Sequence, residues 1–225
     1  MTAALLRLRL LAGANWRERA VAALGAALAT GIAGYVSTLV AGQHAALLLA
    51  APIGASAVIL FAVPSSPLGQ PWPVIGGTIV SVACSIFAAQ TLGHGALAAA
   101  VAVGLSIVAM SVLRCLHPPG GGCALLAVVG SPELLAKGYW FALVPGGLNA
   151  LLLVLVGYVF HRYSGHSYPH RPVPAPADPR ILAEDIDAAL AEAHETFDIS
   201  PEDLAALLEA AERHAIARRK QTKRG

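Results

Sequence analysis

The residues best placed for chemistry stand together in the run Leu116-His117-Pro118-Pro119-Gly120-Gly121-Gly122, with Arg114 just ahead of the histidine. A Pro-Pro step cannot be the middle of a continuous helix, because proline lacks the amide donor and its ring clashes with the preceding turn. A helix that starts after such a step turns its free amides and the positive end of its dipole back toward the break, where an anion is stabilised. Gly120, Gly121 and Gly122 let a small ligand approach the backbone. A second step of the same kind, Pro52-Ile53-Gly54, precedes Ser56, whose hydroxyl is a further donor. The candidate binding or permeation set is therefore His117, Pro118, Pro119, Gly120, Gly121, Gly122, Pro52, Gly54, Ser56 and Arg114.

Other chemistries lack their residues. There is no Gly-x-Ser-x-Gly, no P-loop and no pair of carboxylates in the apolar part, so no catalytic residue is assigned and an enzyme is not expected. His161, His166 and His170 cluster with Tyr163 and Tyr168, but without an acidic partner or a two-histidine helical spacing; no metal and no cofactor is expected. Cys84, Cys115 and Cys123 form no Cys-x-x-Cys pair and read as small hydrophobes in helix packing.

The elements that must position these residues are set by charge. Hydrophobic residues make up 56% of the chain and charged residues 12%, and between Arg19 and Arg114 no Asp, Glu, Lys or Arg occurs. From there to Phe160 only Glu133 and Lys137 interrupt the run. No soluble fold keeps so long a stretch free of charge, so the chain is read as an all-α polytopic membrane protein. The net charge of +2 is the balance of a basic start, a neutral middle and a mixed tail, and implies no nucleic acid. Runs of membrane-spanning length are Ala20–Val40, His44–Val63, Trp72–Leu92, Gly95–Leu113 and Tyr139–Phe160, while Gly120–Val129 has only half that length. His44 and His94 fall at run ends and read as interfacial.

Both ends of the apolar part are basic, so both are expected on the cytoplasmic side and the number of crossings is even. Residues 1–19 lack a signal peptide's order and read as a retained cytoplasmic end. Six crossings are preferred; four result if the segments around Pro52 and Pro118 are re-entrant. The two stretches beginning at Gly54 and Gly120 also align at an offset of 66 residues, each preceded by proline and followed by a Ser/Pro turn, an aromatic and a Gly-Gly pair. Residues 20–92 and 95–160 are therefore expected to form an internal repeat, inverted if each half crosses three times. Residues 161–178 form a Pro-rich linker and residues 179–225 a soluble two-helix tail, its second helix capped by Ser200 with Pro201 at the first position. A helical pair this small is expected to dock on a partner or a second copy.

Several ordered motifs resemble one family. Pro52-Ile53-Gly54-Ala55-Ser56, the turn Pro64-Ser65-Ser66-Pro67-Leu68 with Gln70-Pro71-Trp72 and Gly76-Gly77, and above all Leu116-His117-Pro118-Pro119-Gly120-Gly121 are similar to the HPP integral membrane proteins over residues 20–160. That resemblance implies four transmembrane helices, against the six preferred above, and nitrite transport by analogy with chloroplast members. It also implies a bacterial inner-membrane location. The stretch Phe197 to Leu204 resembles the connector that in some relatives leads to a pair of CBS domains, which these 225 residues do not contain. Where many relatives read Gly-Gly-Ala-Thr, Gly121-Gly122-Cys123 stands here, so no threonine contact carries over.

The expected function is a channel or carrier for a small inorganic anion, nitrite by resemblance. His117 would orient the ion, the amides of Gly54–Ser56 and Gly120–Gly122 would coordinate it, and Arg114 would raise its local concentration. The alternative is a membrane-bound ligand sensor or scaffold signalling through the tail, possible as a homo-oligomer. The lipid bilayer is the one partner common to both.

Overall fold

A computed structural model describes residues 16–130, 132–171, 182–193 and 198–222; the side chains of His44 and Glu133 lie outside that description. So do Arg7 and Arg9, Pro172, Pro174, Pro176 and Pro179 of the linker, and Ile181 and Phe197 of the tail. The chain divides into two compact units, residues 1–169 and 170–225.

In the first unit the helices are α1 (Trp16–Ala41), α2 (Gln43–Ala62), α3 (Pro71–Leu92) and α4 (Ala96–Val112). After them come two single turns, α5 (Gly120–Cys123) and α6 (Leu126–Val129), a short α7 (Pro132–Ala136) and α8 (Leu148–Ser164). Small residues let these helices approach closely: α1 buries Ala22, Gly25, Ala29, Ala33 and Ser37, and α4 buries Ala98, Ala102 and Ser106. Many large apolar side chains on α1, α4 and α8 point outward. Leu24, Leu28, Ile32 and Leu39 on α1, Leu97, Val108 and Val112 on α4, and Leu155 and Val159 on α8 are all exposed. So extended an apolar exterior is what lipid solvation allows and water does not. Trp16–Ala41, Pro71–Leu92 and Ala142–Ser164 are each long and apolar enough to cross a membrane, and three shorter apolar helices accompany them.

Polar contacts fix which ends share a face of the bundle. Arg19 Nη1 donates to the Ala62 carbonyl (3.0 Å), so the start of α1 lies beside the end of α2. Trp72 Nε1 donates to Leu113 O (3.1 Å), His161 Nε2 to Leu60 O (3.0 Å) and the Tyr168 hydroxyl to Gly69 O (3.0 Å). The α2–α3 turn, the end of α4 and the end of α8 therefore sit on that same face, and so does Arg114. At the other face Lys137 Nζ meets Ala41 O (3.3 Å), and His94 Nδ1 donates to Val128 O (2.8 Å). Six segments thus alternate in direction along the bundle: α1, α2, α3, α4, residues 114–129, and residues 142–164. The second set of three starts from the face opposite to the first.

Two of the six differ from their sequence reading. Pro52 is no break: α2 runs unbroken through it from Gln43 to Ala62. Proline is tolerated inside helices at membrane depth, and Ser56 Oγ, one turn on, lies 2.9 Å from the Pro52 carbonyl. The last segment does break, at a wide turn over Ala142–Gly147 containing Pro145, where Val144 takes extended angles (φ −133°, ψ 112°). The broken segments are thus those holding Pro118-Pro119 and Pro145.

In the second unit α9 (Ala183–Ala193) and α10 (Pro201–Thr222) follow the tail's pattern. The Asp203 amide donates to Ser200 Oγ (3.1 Å), an N-cap with Pro201 at the first helical position.

Candidate functional site

The α3 helix, buried along most of its length, serves as a ruler for the broken segment, at about 1.5 Å of rise per residue. Cys115 and His117 lie beside Gly76 and Gly77 near its start, Gly120 lies against Ser81 near its middle, and the Ala127 amide donates to Ser85 Oγ (2.8 Å) farther on. Val128 reaches His94 beyond the end of α3. Residues 114–129 therefore cover the full length of α3, irregular over the first half and helical over the second. Two glycines set the closeness of this packing. A methyl group on Gly77 would fall 2.6 Å from His117 Cβ and 2.7 Å from Cys115 O, and one on Gly120 would fall 2.6 Å from Ser81 Oγ.

His117 is fully buried and joins three parts of the chain. Its Nδ1 lies 2.9 Å from the Leu68 carbonyl and its Nε2 2.8 Å from Ser56 Oγ. A carbonyl only accepts, so Nδ1 carries the hydrogen and the neutral ring accepts at Nε2 from the Ser56 hydroxyl. The turn that supplies Leu68 is itself braced. Gln70 Nε2 donates to Pro64 O (3.1 Å) and Ser66 O (2.8 Å), and Ser66 Oγ accepts from the Leu68 amide (3.2 Å). The Pro64–Trp72 motif, which in sequence explains itself as a connecting turn, aims a carbonyl at the histidine.

The remaining candidate residues separate into groups. Pro52, Pro118, Pro119 and Gly122 line one groove of about 820 Å³ between α2 and α5–α6, together with Ala51, Ala55, Val58, Ile59, Leu126 and Val129. The prolines of the two halves do face each other, but across an apolar surface. His117 and Ser56 are buried and do not line it. Gly54 and Gly121 are half-buried with open space at their Cα hydrogens. Arg114 is exposed, with a left-handed backbone (φ 53°).

The amides of the glycine run do not serve as expected. Gly120 N donates to His117 O (2.8 Å), Gly121 N to Pro118 O (3.0 Å) and Gly122 N to Pro119 O (3.0 Å). Prolines offer carbonyls without competing donors, so the turn closes on itself and leaves no amide for an anion. The amides of Gly54 to Ser56 lie inside the continuous α2, where the helix ladder uses them. Coordination by these backbone groups is therefore corrected; the polar groups that remain are side chains.

Sequence reasoning missed Leu68, Ser81 and Ser85 as partners of the broken segment, Gln70 as the brace of the turn that presents Leu68, and His94 as its anchor at the far face. The small and hydroxylic residues of α3 at Gly77, Ser81 and Ser85 recur every four residues, a stripe that could have been read as one packing face. Cys84, Cys115 and Cys123 are buried with free thiols. Near the first face His161, Ser164 and Tyr168 tie the end of α8 to α2 and the turn, and burial pushes the Tyr168 phenol up from its ordinary range.

Comparison with known proteins agrees with this description. No solved structure matches the chain. A transmembrane protein of Dictyostelium discoideum is 39% identical over 120 residues, 51% of this chain and 42% of its own. A second from the same organism is 33% identical over 122 residues, 52% and 39% of the two chains. The match thus spans less than half the length of these curated relatives. The model of the HPP transmembrane region matches residues 12–169, which takes in the six segments and the buried histidine, and the chain is an integral membrane protein of the HPP family.

Proposed function

We propose that the protein moves a small inorganic anion across the membrane, along the interface of α2, α3 and the broken segment 114–129, with His117 and Ser56 as its polar constriction. Membership of the HPP family fits a membrane transporter or channel in general. The observation that carries the reading is the buried histidine itself. In a bundle whose helices α2, α3 and α4 contain no Asp, Glu, Lys or Arg, His117 is held at full burial by bonds to α2 and to the α2–α3 turn. An ionisable residue in such a place is expensive to keep and marks a pathway by default. The missing carboxylates favour an anion over a cation, and nitrite is the anion the family resemblance suggests. The three segments of each half, started from opposite faces, support an inverted repeat rocking about this interface. Basic residues at the face of Arg19, Arg114 and Arg162 favour a cytoplasmic orientation for that face, in a bacterial inner membrane.

Liposomes carrying the purified protein should take up nitrite faster than empty ones, and His117→Ala should reduce the protein-dependent rate by about fivefold or more, as loss of a polar group in a desolvated constriction costs about 1 kcal/mol or more. Equal rates in empty, wild-type and variant liposomes would sink the reading.

A second reading, a sensor or scaffold with the tail as output, is favoured by the exposure of Leu182, Leu207 and Leu208 in the second unit. A partner or second copy covering these leucines would make the tail the signalling element. Deleting the residues after Arg171 should then abolish the cellular phenotype while leaving flux intact.

A further inference from the structure

The hydrogen bonds around His117 contain one more acceptor than the neutral ring needs. Ser56 Oγ lies 2.8 Å from His117 Nε2 and also 2.9 Å from the carbonyl of Pro52, yet a hydroxyl has one hydrogen. With His117 neutral, that hydrogen points at Nε2. If a proton binds Nε2, the new N–H donates to Ser56 Oγ and the hydroxyl hydrogen turns to Pro52 O, while Nδ1–H stays on Leu68 O. Each state satisfies every group with no movement of heavy atoms.

We propose that His117 is a proton-binding site, and that Ser56, by turning its hydroxyl between Nε2 and Pro52, lets the histidine gain and lose a proton during transport. The inference rests on the transport reading and names its coupling ion. The groups bonded to the ring, the Ser56 hydroxyl on α2 and the Leu68 carbonyl in the α2–α3 turn, carry no countercharge, nor does Gly77 on α3 against its Cβ. Arg114 is the nearest charged residue along the segment and is exposed. A proton on His117 thus places an unneutralised positive charge among α2, α3, α4 and residues 114–129, none of which contains a carboxylate, and an anion is its natural counter-ion. Proton and anion then favour each other's binding reciprocally, so that they move together as a neutral pair.

The full chain in lipid nanodiscs with ¹⁵N-labelled histidine gives a test that needs no transport. The His117 signal, identified by its loss in His117→Gln, should show the Nδ1–H tautomer when neutral and should gain a proton reversibly as the pH is lowered. Ser56→Ala should move its midpoint about one pH unit lower, a tenfold loss in proton affinity, because a bond to a charged donor outweighs one to a neutral ring by about that much. Ser56→Thr, which keeps the hydroxyl, should restore the midpoint, and nitrite should increase the protonated fraction at fixed pH. A histidine that stays neutral throughout, or a midpoint indifferent to Ser56→Ala, would overturn the proposal. In liposomes loaded with a pH-sensitive dye, a nitrite gradient should drive proton entry with the wild type and not with His117→Gln. Nitrite flux without protons would overturn the coupling and leave the transport reading standing. Absence of any nitrite flux would overturn the transport reading and the coupling with it, leaving proton binding at His117 to the nanodisc titration.

Discussion

His117 and Arg114 stand three positions apart and do different work. The histidine is buried and bonded on both ring nitrogens, while the arginine is exposed at the end of α4. An exposed charge acts on a solute through screened long-range attraction, which fades beyond about 8 Å at physiological ionic strength. Arg114→Gln should therefore slow nitrite entry by a few-fold at low salt and have little effect at about 0.5 M inert salt. A salt-independent loss of the same size would mean instead that Arg114 touches the solute or supports the fold. Only chain proximity relates the two residues; their burial and roles depend on α3, which holds one and leaves the other at the surface.

At the scale of elements, the glycines of the broken segment divide by what they meet. Gly120 packs on Ser81 and Met110, and Gly77 on Cys115 and His117, whereas a methyl on Gly121 would meet nothing within 4 Å. Gly120→Ala and Gly77→Ala should each destabilise the purified protein by about 1–3 kcal/mol, the usual cost of overpacking. Gly121→Ala should be neutral or stabilise by up to about 1 kcal/mol, through lost chain entropy in the unfolded state. Unfolding in detergent, followed by thermal melting of the three variants, checks the order. Were Gly121→Ala the most damaging, its backbone would be used in a way the packing does not explain. The proline steps divide likewise: Pro118-Pro119 lies outside any helix, just ahead of α5, whereas Pro52 stands inside the continuous α2.

At the scale of the whole molecule, the bundle and the tail are separate compact units, the chain dividing between Pro169 and His170. Under the transport reading, a chain ending at Arg171 should melt within a few degrees of the full chain, since a change of about 1 kcal/mol moves the midpoint by only about 2–4 °C in a chain of this size. It should also retain its nitrite flux. A folded truncation that keeps its flux but loses the cellular phenotype would favour the sensor reading. The charge-free length by itself determined that the protein lies in the bilayer, because no soluble core can absorb such a composition. The run lengths located five long segments and the half-length sixth to within a few residues, since apolar periodicity and turn residues are local signals. The Ser200 and Pro201 helix start was legible for the same reason. Whether a proline breaks its helix, whether a glycine amide is free, and which carbonyl a histidine faces were not legible. Each depends on a partner far away in the chain: Ser56 meets His117 across 61 positions and Leu68 meets it across 49. Residue types alone marked His117 and Ser56 as capable of binding; the tertiary structure decided that they bind each other, and left the neighbouring amides fully occupied.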